Sequence, residues 1–321
     1  MTTLGLPLRL AGLSKHYGAA LALEPTDLEI PAGEFLTLLG PSGSGKTTLL
    51  NLIAGYVEPS SGRIFIGERD VTGVPARRRN IGMVFQSYAL FPHMNVAQNV
   101  GYGLAVRHLA KGEIERRVAD VLALMQLTEF AGRSVQQLSG GQQQLVALAR
   151  ALVIAPDMLL MDEPLGALDK QLRRTVQLEL RRLHLKHRRT TIYVTHDQEE
   201  ALVLSDRVAV MSQGRIQQLG AAAELYASPA NAFVAGFIGE SNLLPVSIRS
   251  FSGGQAQVDV PALRTTLSAT AAPGAVAGSP AMLLLRPEHV LVAREGEGIA
   301  AQIAEAVYLG ELTQLALRLE T

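Results

Sequence analysis

The segment Gly40-Pro41-Ser42-Gly43-Ser44-Gly45-Lys46-Thr47 constrains this chain more than any other, because few backbones use three glycines, a lysine and a threonine at that spacing. It fits G-x-x-x-x-G-K-[ST] and lies between a buried-strand pattern, Glu34 to Leu39, and a helical one, Lys46 to Gly55. Gly40, Gly43 and Gly45 let the backbone fold tightly, so that successive N–H groups converge on one concavity. The helix start adds the positive end of its dipole, which favours an anion there. Lys46 is placed to neutralise β and γ phosphates, and Thr47 offers a hydroxyl to Mg²⁺. Thr48, the next residue of the helix start, completes the expected phosphate-binding set.

A nucleotide site also needs a carboxylate for the metal and a group that activates water. Met158-Leu159-Leu160-Met161-Asp162-Glu163 offers both at the end of an apolar strand. Asp162 is expected in the Mg²⁺ shell, and Glu163 is expected to act on the attacking water as general base or polariser. Taken alone, an Asp-Glu pair before Pro164 reads as a surface turn; the phosphate loop 116 residues earlier (162 minus 46) changes that reading.

Composition narrows the field. A chain that is 48% hydrophobic and 18% charged is globular, and its 321 residues suggest two domains. The absence of cysteine excludes disulfides, thiolate metal sites and a cysteine nucleophile. Basic and acidic residues balance at 29 each, which removes the bulk electrostatic argument for nucleic acid. The clusters Arg77-Arg78-Arg79 and Arg181 to Arg189 read as solvated faces. Met1 to Leu10 has no leader pattern and no window has the apolar length of a spanning helix, so a soluble chain is expected. Strand-like Ile81 to Phe85, Met158 to Met161 and Thr190 to Thr195 alternate with helical Gly112 to Met125 and Gln142 to Ile154, the pattern of an α/β sheet.

Leu138-Ser139-Gly140-Gly141-Gln142, between the two phosphate-site motifs, resembles the signature segment of ABC-type ATPases. Physically it is a second anion-binding helix start with small residues before it. The resemblance implies that Ser139, Gly140, Gly141 and Gln142 close over nucleotide held by a partner copy, so that a homodimer sandwiches ATP. It further implies that Tyr17 stacks on adenine and that Gln86 reaches Mg²⁺. In the same way His196 would contact the γ-phosphate, and Gly166-Ala167-Leu168-Asp169 would join the two sites across the dimer. Ser87 to His93 resembles the face that docks on membrane subunits.

After about Gly239 the texture changes to short apolar runs, Leu244 to Ile248, Gln257 to Val260 and Met282 to Leu285, between turn clusters such as Ala272-Pro273-Gly274. The expected fold is therefore an α/β P-loop ABC-type nucleotide-binding domain over 1–238, followed by a small all-β barrel over 239–321. That tail resembles the oligonucleotide/oligosaccharide-like (TOBE-type) regulatory domain of importer ATPases. Phe237 to Asn242 and Leu285-Arg286-Pro287-Glu288 are similar to segments of the polyamine, iron and sugar branch. Leu312 to Leu319 reads as a last strand with nothing after it to pair back, so either a shortened regulatory domain or an open edge strand is expected.

The resemblance implies an ATP-hydrolysing importer subunit at the cytoplasmic face of the cell membrane. Its partners would be two integral membrane permease subunits and, indirectly, a periplasmic or extracellular solute-binding protein. Polyamine is the favoured cargo, with ferric iron or sugar, or a regulatory module with weak ATPase, as alternatives. Leu145 stands where the family usually has arginine; it joins the apolar stripe of its own helix, so that helix should persist. A DNA-maintenance or translation-linked ATPase is disfavoured by the 93 residues between Lys46 and Ser139 (139 minus 46), the missing zinc cysteines and the single nucleotide site.

Overall fold

The computed structural model describes residues 5–166, 168–272, 274–293 and 298–319. Ala167 and Pro273, named in two motifs above, and Met1 to Leu4 lie outside them. Two compact units are present, Met1–Ala223 and Glu224–Thr321.

In the first unit, β1 (Leu8–Tyr17) and β2 (Ala20–Ile30) form a hairpin, followed by β3 (Phe35–Leu39), α1 (Lys46–Ala54), β4 (Ser61–Ile66) and β5 (Arg69–Asp70). Then come β6 (Ile81–Val84), α2 (Val96–Val106), α3 (Lys111–Leu124), α4 (Gly140–Val153), β7 (Met158–Asp162) and α5 (Lys170–His187). The unit continues with β8 (Thr190–Thr195), α6 (Gln198–Leu204), β9 (Arg207–Ser212) and β10 (Arg215–Gly220). One sheet has the order β2-β1-β4-β5 and is antiparallel. The other has the order β10-β9-β3-β8-β7-β6 and is parallel except at β10. Pro25 falls on the edge strand β2, where its missing N–H costs no interior ladder bond.

Strands β3, β7 and β8 are buried along their whole length because both of their faces are covered. Successive residues alternate between the two cores, as a pleated strand requires. Met158 and Leu160 of β7, with Ile192 and Val194 of β8, pack with α1 and the antiparallel sheet. Leu159, Met161 and Tyr193 pack instead with α2 to α5. Helix ends follow the capping rules: Gly55 ends α1 at φ 81°, and Ser139 and Gln142 form a reciprocal capping box that opens α4. Helix α4 runs unbroken through Leu145, which packs on the second of these cores.

Arginines of the two basic clusters are tied into the fold. Arg79 is buried and donates to the carbonyls of Leu52, Ile53, Thr72 and Val74. Arg181 donates to Leu204 O and Asp206 Oδ1, both at 2.9 Å. Reading both runs as solvated faces missed these bonds, because backbone carbonyl acceptors leave no trace in sequence.

The second unit starts inside α7 (Ala222–Ala227), earlier than Gly239, and continues with α8 (Ala232–Phe237) and six strands. Arg286 explains why the helices group with the strands. Its buried guanidinium donates to the carbonyls of Ala235, Ile238, Glu240 and Tyr226, and it stacks over the Tyr226 ring at 4.0 Å. Strands β11 (Asn242–Ser252), β12 (Gln255–Val260), β13 (Thr265–Thr270) and β14 (Pro280–Leu285) form an antiparallel sheet ordered β13-β12-β11-β14. Strands β15 (Ala301–Tyr308) and β16 (Thr313–Leu319) form a separate hairpin. The all-β expectation holds, but among the described residues the strands do not close into one barrel. The last strand does have a partner, the strand before it, which alternation alone did not reveal.

His184 of α5 is buried edge-on against Phe35, with Nε2 3.3 Å from Asp206 Oδ2. Burial lowers its pKa below 6.5, Asp206 opposes this, and Arg181 and Arg188 add to the lowering. A folded pKa below the unfolded one means that the unfolded chain takes up the proton first as pH falls. The stabilisation is therefore complete above about pH 6.5 and is lost as pH drops toward the folded value. In thermal melts, His184→Gln should flatten the fall in Tm between about pH 7.5 and about pH 5.5 relative to the parent. An unchanged slope would remove His184 as its source.

Candidate active site

Parallel pairing puts the carboxyl ends of β3, β8, β7 and β6 side by side on one edge of the sheet. Leu39 pairs with Thr195, Asp162 with Val194, and Val84 with Met161. Whatever follows these strands is collected there, which is where open α/β sheets place ligands. The residues are the phosphate loop after β3, His196 after β8, Asp162 and Glu163 at the end of β7, and Gln86 after β6.

The loop's glycines are required by its geometry. A Cβ on Gly40 would lie 2.2 Å from Met211 O, so the loop leaves β3 against the backbone of β9. Gly43 and Gly45 have φ of 77° and 97°, in the left-handed region, and Gly45 is the N-cap of α1. Pro41, Ser42 and Thr47 are exposed at the mouth, whereas Ser44 and Lys46 are buried and Thr48 is half-buried. Lys46 Nζ folds back across the loop and donates to Gly40 O at 2.7 Å, Pro41 O at 2.8 Å and Ser44 Oγ at 3.3 Å. Burial lowers the pKa of Lys46, while Glu163 and Asp162 pull it upward. Asp162 shows the reciprocal effect: burial raises it, the Thr47 hydroxyl at 3.2 Å from Oδ1 lowers it, Glu163 raises it and Lys46 lowers it.

Glu163 is held from two sides. Gln86 Nε2 donates to Oε2 at 3.3 Å, and His196 Nδ1 lies 3.2 Å from Oε1. Its backbone has φ 44°, a left-handed conformation that a non-glycine residue adopts at a cost, anchored by Glu163 N donating to Val194 O. The result is a half-buried carboxylate aimed by a strained turn between an amide and an imidazole.

Other expected site residues sit apart. Ser139 and Gln142 spend their polar atoms on each other, with Gln142 N to Ser139 Oγ at 3.3 Å and Ser139 N to Gln142 Oε1 at 3.0 Å. Among the described residues no hydrogen bond joins Ser139–Gln142 to the phosphate loop. Asp169 caps α5, accepting from Leu172 N at 2.9 Å. Tyr17 is exposed at the end of the β1–β2 hairpin, and Ala22 of that hairpin reaches the loop, its carbonyl 2.7 Å from a Cβ placed on Gly45. Three supporting residues went unread in the sequence: Asn99, Arg150 and Arg173. Tyr88 and Ala89, just after Gln86, both have positive φ, and Arg150 holds their carbonyls at 2.8 Å each. Asn99 accepts from Phe91 N and donates to Phe91 O, and it is fully buried. Only a buried asparagine within an apolar helix could have signalled this.

Comparison with known proteins identifies the family. The ABC transporter family profile matches residues 23–166, and a TOBE domain profile matches residues 283–321. The chain is 50% identical over 313 residues to the spermidine/putrescine import ATP-binding protein PotA of Rubrobacter xylanophilus, covering 97% of this chain and 83% of that protein. The chain belongs to the ABC transporter family. The PotA protein of Marinobacter nauticus is 48% identical over 317 residues, covering 98% of this chain and 84% of its own. Among solved structures, the dimeric post-hydrolysis state of the ATP-binding cassette MJ0796 with ADP and Pi aligns at TM-score 0.62 and 32% identity, over 67% of this chain and 98% of that one. The cbiO1 protein of Clostridium perfringens aligns at TM-score 0.62 and 31% identity, over 67% and 88% of the two chains. As a member of this ABC family the chain binds ATP and hydrolyses it.

Gly40→Ala should displace the loop from β9, because the new Cβ meets a backbone oxygen that cannot rotate away. The expected outcome is a loss of about 1–3 kcal/mol in denaturant melts together with lost ATP binding in titration calorimetry. Parent-like values in both would show that the contact yields easily.

Proposed function

We propose that this chain powers the import of a polyamine through two membrane permease subunits, working as a homodimer that sandwiches two ATP molecules. The observation that carries the catalytic reading is Glu163, gripped between Gln86 and His196 beside the phosphate loop. Polyamine as cargo rests on the curated relatives, several of them spermidine/putrescine import proteins at nearly half identity or more.

In this reading, the N–H groups of Gly40 to Thr48 and the Lys46 ammonium hold the phosphates, and Lys46 trades its loop carbonyls for phosphate oxygens. Tyr17 stacks on the adenine. Glu163 accepts a proton from the attacking water, and His196 fixes both that carboxylate and the γ-phosphate. The chemistry asks for positioning and charge neutralisation more than for covalent steps. Thr47 and Asp162 offer adjacent oxygen donors 3.2 Å apart, with the Gln86 amide across the mouth, a set that suits Mg²⁺. When bound there, Mg²⁺ neutralises charge developing on the β and γ phosphates. Asp162, whose carboxylate is disfavoured by burial, would gain a cation beside it.

Ser139, Gly140, Gly141 and Gln142 are assigned to the partner's nucleotide, and Asp169 to the loop facing it. Their separation from the phosphate loop within one chain supports this, as does the dimeric state of the MJ0796 cassette. No helix among the described residues is long and apolar enough to cross a membrane. Attachment at the cytoplasmic face of the inner membrane would therefore run through the permeases, and a solute-binding protein would deliver cargo to them from the far side.

Glu163→Gln should keep ATP binding and lower turnover by roughly 10²-fold or more in a phosphate-release assay. Turnover near the parent rate would remove Glu163 from this role. Cells carrying the Glu163→Gln allele should lose accumulation of labelled spermidine, and undiminished spermidine uptake would point to another cargo.

A further inference from the structure

Arg173, in the first turns of α5, ties together two segments that leave neighbouring strands of the active edge. Its Nη2 donates to Leu168 O at 3.0 Å and to Gly166 O at 3.5 Å, in the loop after Glu163. Its Nη1 donates to Asp197 Oδ2 at 3.2 Å, one residue after His196, and its Nε lies 3.9 Å from Glu200 Oε1. The acceptors on the β8 side are themselves fixed. Asp197 Oδ1 caps α6 by accepting from Glu200 N at 3.1 Å. Buried Glu200 accepts from Tyr193 Oη and Thr195 Oγ1 through Oε2, both at 2.7 Å. The guanidinium thus bridges a rigid anchor beside His196 and a short loop in which, among the described residues, Leu168 N donates to Leu165 O and Gly166 N to Glu163 O.

The loop side continues to the start of α4. A Cβ placed on Gly141 would lie 2.8 Å from Leu168 Cδ2 and 2.7 Å from Leu172 Cδ2, so the glycine seats α4 directly on these two leucines. One planar fork therefore connects the His196 segment, through Leu168, to the helix start that carries Ser139–Gln142. Lysine at 173 could keep the charge but could not reach a carbonyl and a carboxylate with fixed geometry at once.

We propose that Arg173 is a positioning residue for ATP hydrolysis, coupling the His196–Asp197 segment to the loop Gly166–Asp169 and through it to the start of α4. It acts through the protein segments that it holds. This rests on the reading above, in which Glu163 and His196 serve hydrolysis. Because Asp197 is held at the α6 cap, the fork keeps Leu168 and the glycine seat of α4 in register with the His196 segment.

The test uses the full chain with Arg173→Lys, Asp197→Asn and the double variant. Asparagine preserves the α6 cap while removing the charge that Arg173 reads, so this variant folds even if Arg173→Lys does not. Hydrogen exchange of nucleotide-free protein should show the amides of the Gly166–Asp169 loop exchanging about tenfold faster in either single variant. In steady-state assays, kcat should fall about tenfold with KM for ATP within about twofold, and the double variant should be no slower than the worse single one. Unchanged loop exchange, a kcat within about twofold of the parent in a folded variant, or single effects that multiply would each overturn the proposal. If the parent and Glu163→Gln turn over alike, the site reading itself fails, and the exchange experiment still decides whether the clamp exists.

Discussion

Parallel hydrogen bonding among β3, β8, β7 and β6 is the constraint on which the rest depends. Because the strands run the same way, their carboxyl ends share an edge, and four loops distant in sequence deliver Lys46, His196, Glu163 and Gln86 to it. The strands hold register because each face is buried in its own core, so a slip of one residue would move every side chain to the wrong side. Precision at the site is inherited from packing well away from it.

The charges there are held in tension. Burial disfavours the ammonium of Lys46 and the carboxylate of Asp162, each is partly relieved by the other, and Glu163 adds to the load on Asp162. Such a site gains from a polyanion accompanied by a cation, since each relieves a different buried group. The left-handed turn at Glu163 and the two left-handed residues after Gln86 store backbone strain beside this cluster. Arg150 and Arg173 hold those strained segments through backbone carbonyls.

The sequence revealed the phosphate loop because its chemistry is local: three glycines, a lysine and a threonine do their work within eight residues. The strands β3, β7 and β8 were equally plain, since burial on both faces selects apolar and β-branched residues along the whole strand. Helix α5 was not read at all. Its arginines looked like a surface run, and the Leu204 carbonyl that Arg181 reaches lies in a later helix. The antiparallel sheet β1-β2-β4-β5 was missed too, for its short and bulged pairings disturb a clean alternation. In the tail, turns and apolar runs located three of the four sheet strands, but Thr265–Thr270 is too polar to announce itself. Tyr17 and Asp169 came only through family resemblance, because a lone aromatic or an Asp before a helix has ordinary uses.

The central claim is that the loop lysine and the carboxylates at the end of β7 form one site for metal-bound nucleotide. Phosphate release from ATP by the purified chain, followed in Mg²⁺ and again after chelation with EDTA, tests it most directly. Turnover should be steady with Mg²⁺, stop on chelation and return when Mg²⁺ is restored. Turnover that persists without divalent metal, or none under either condition, would contradict it.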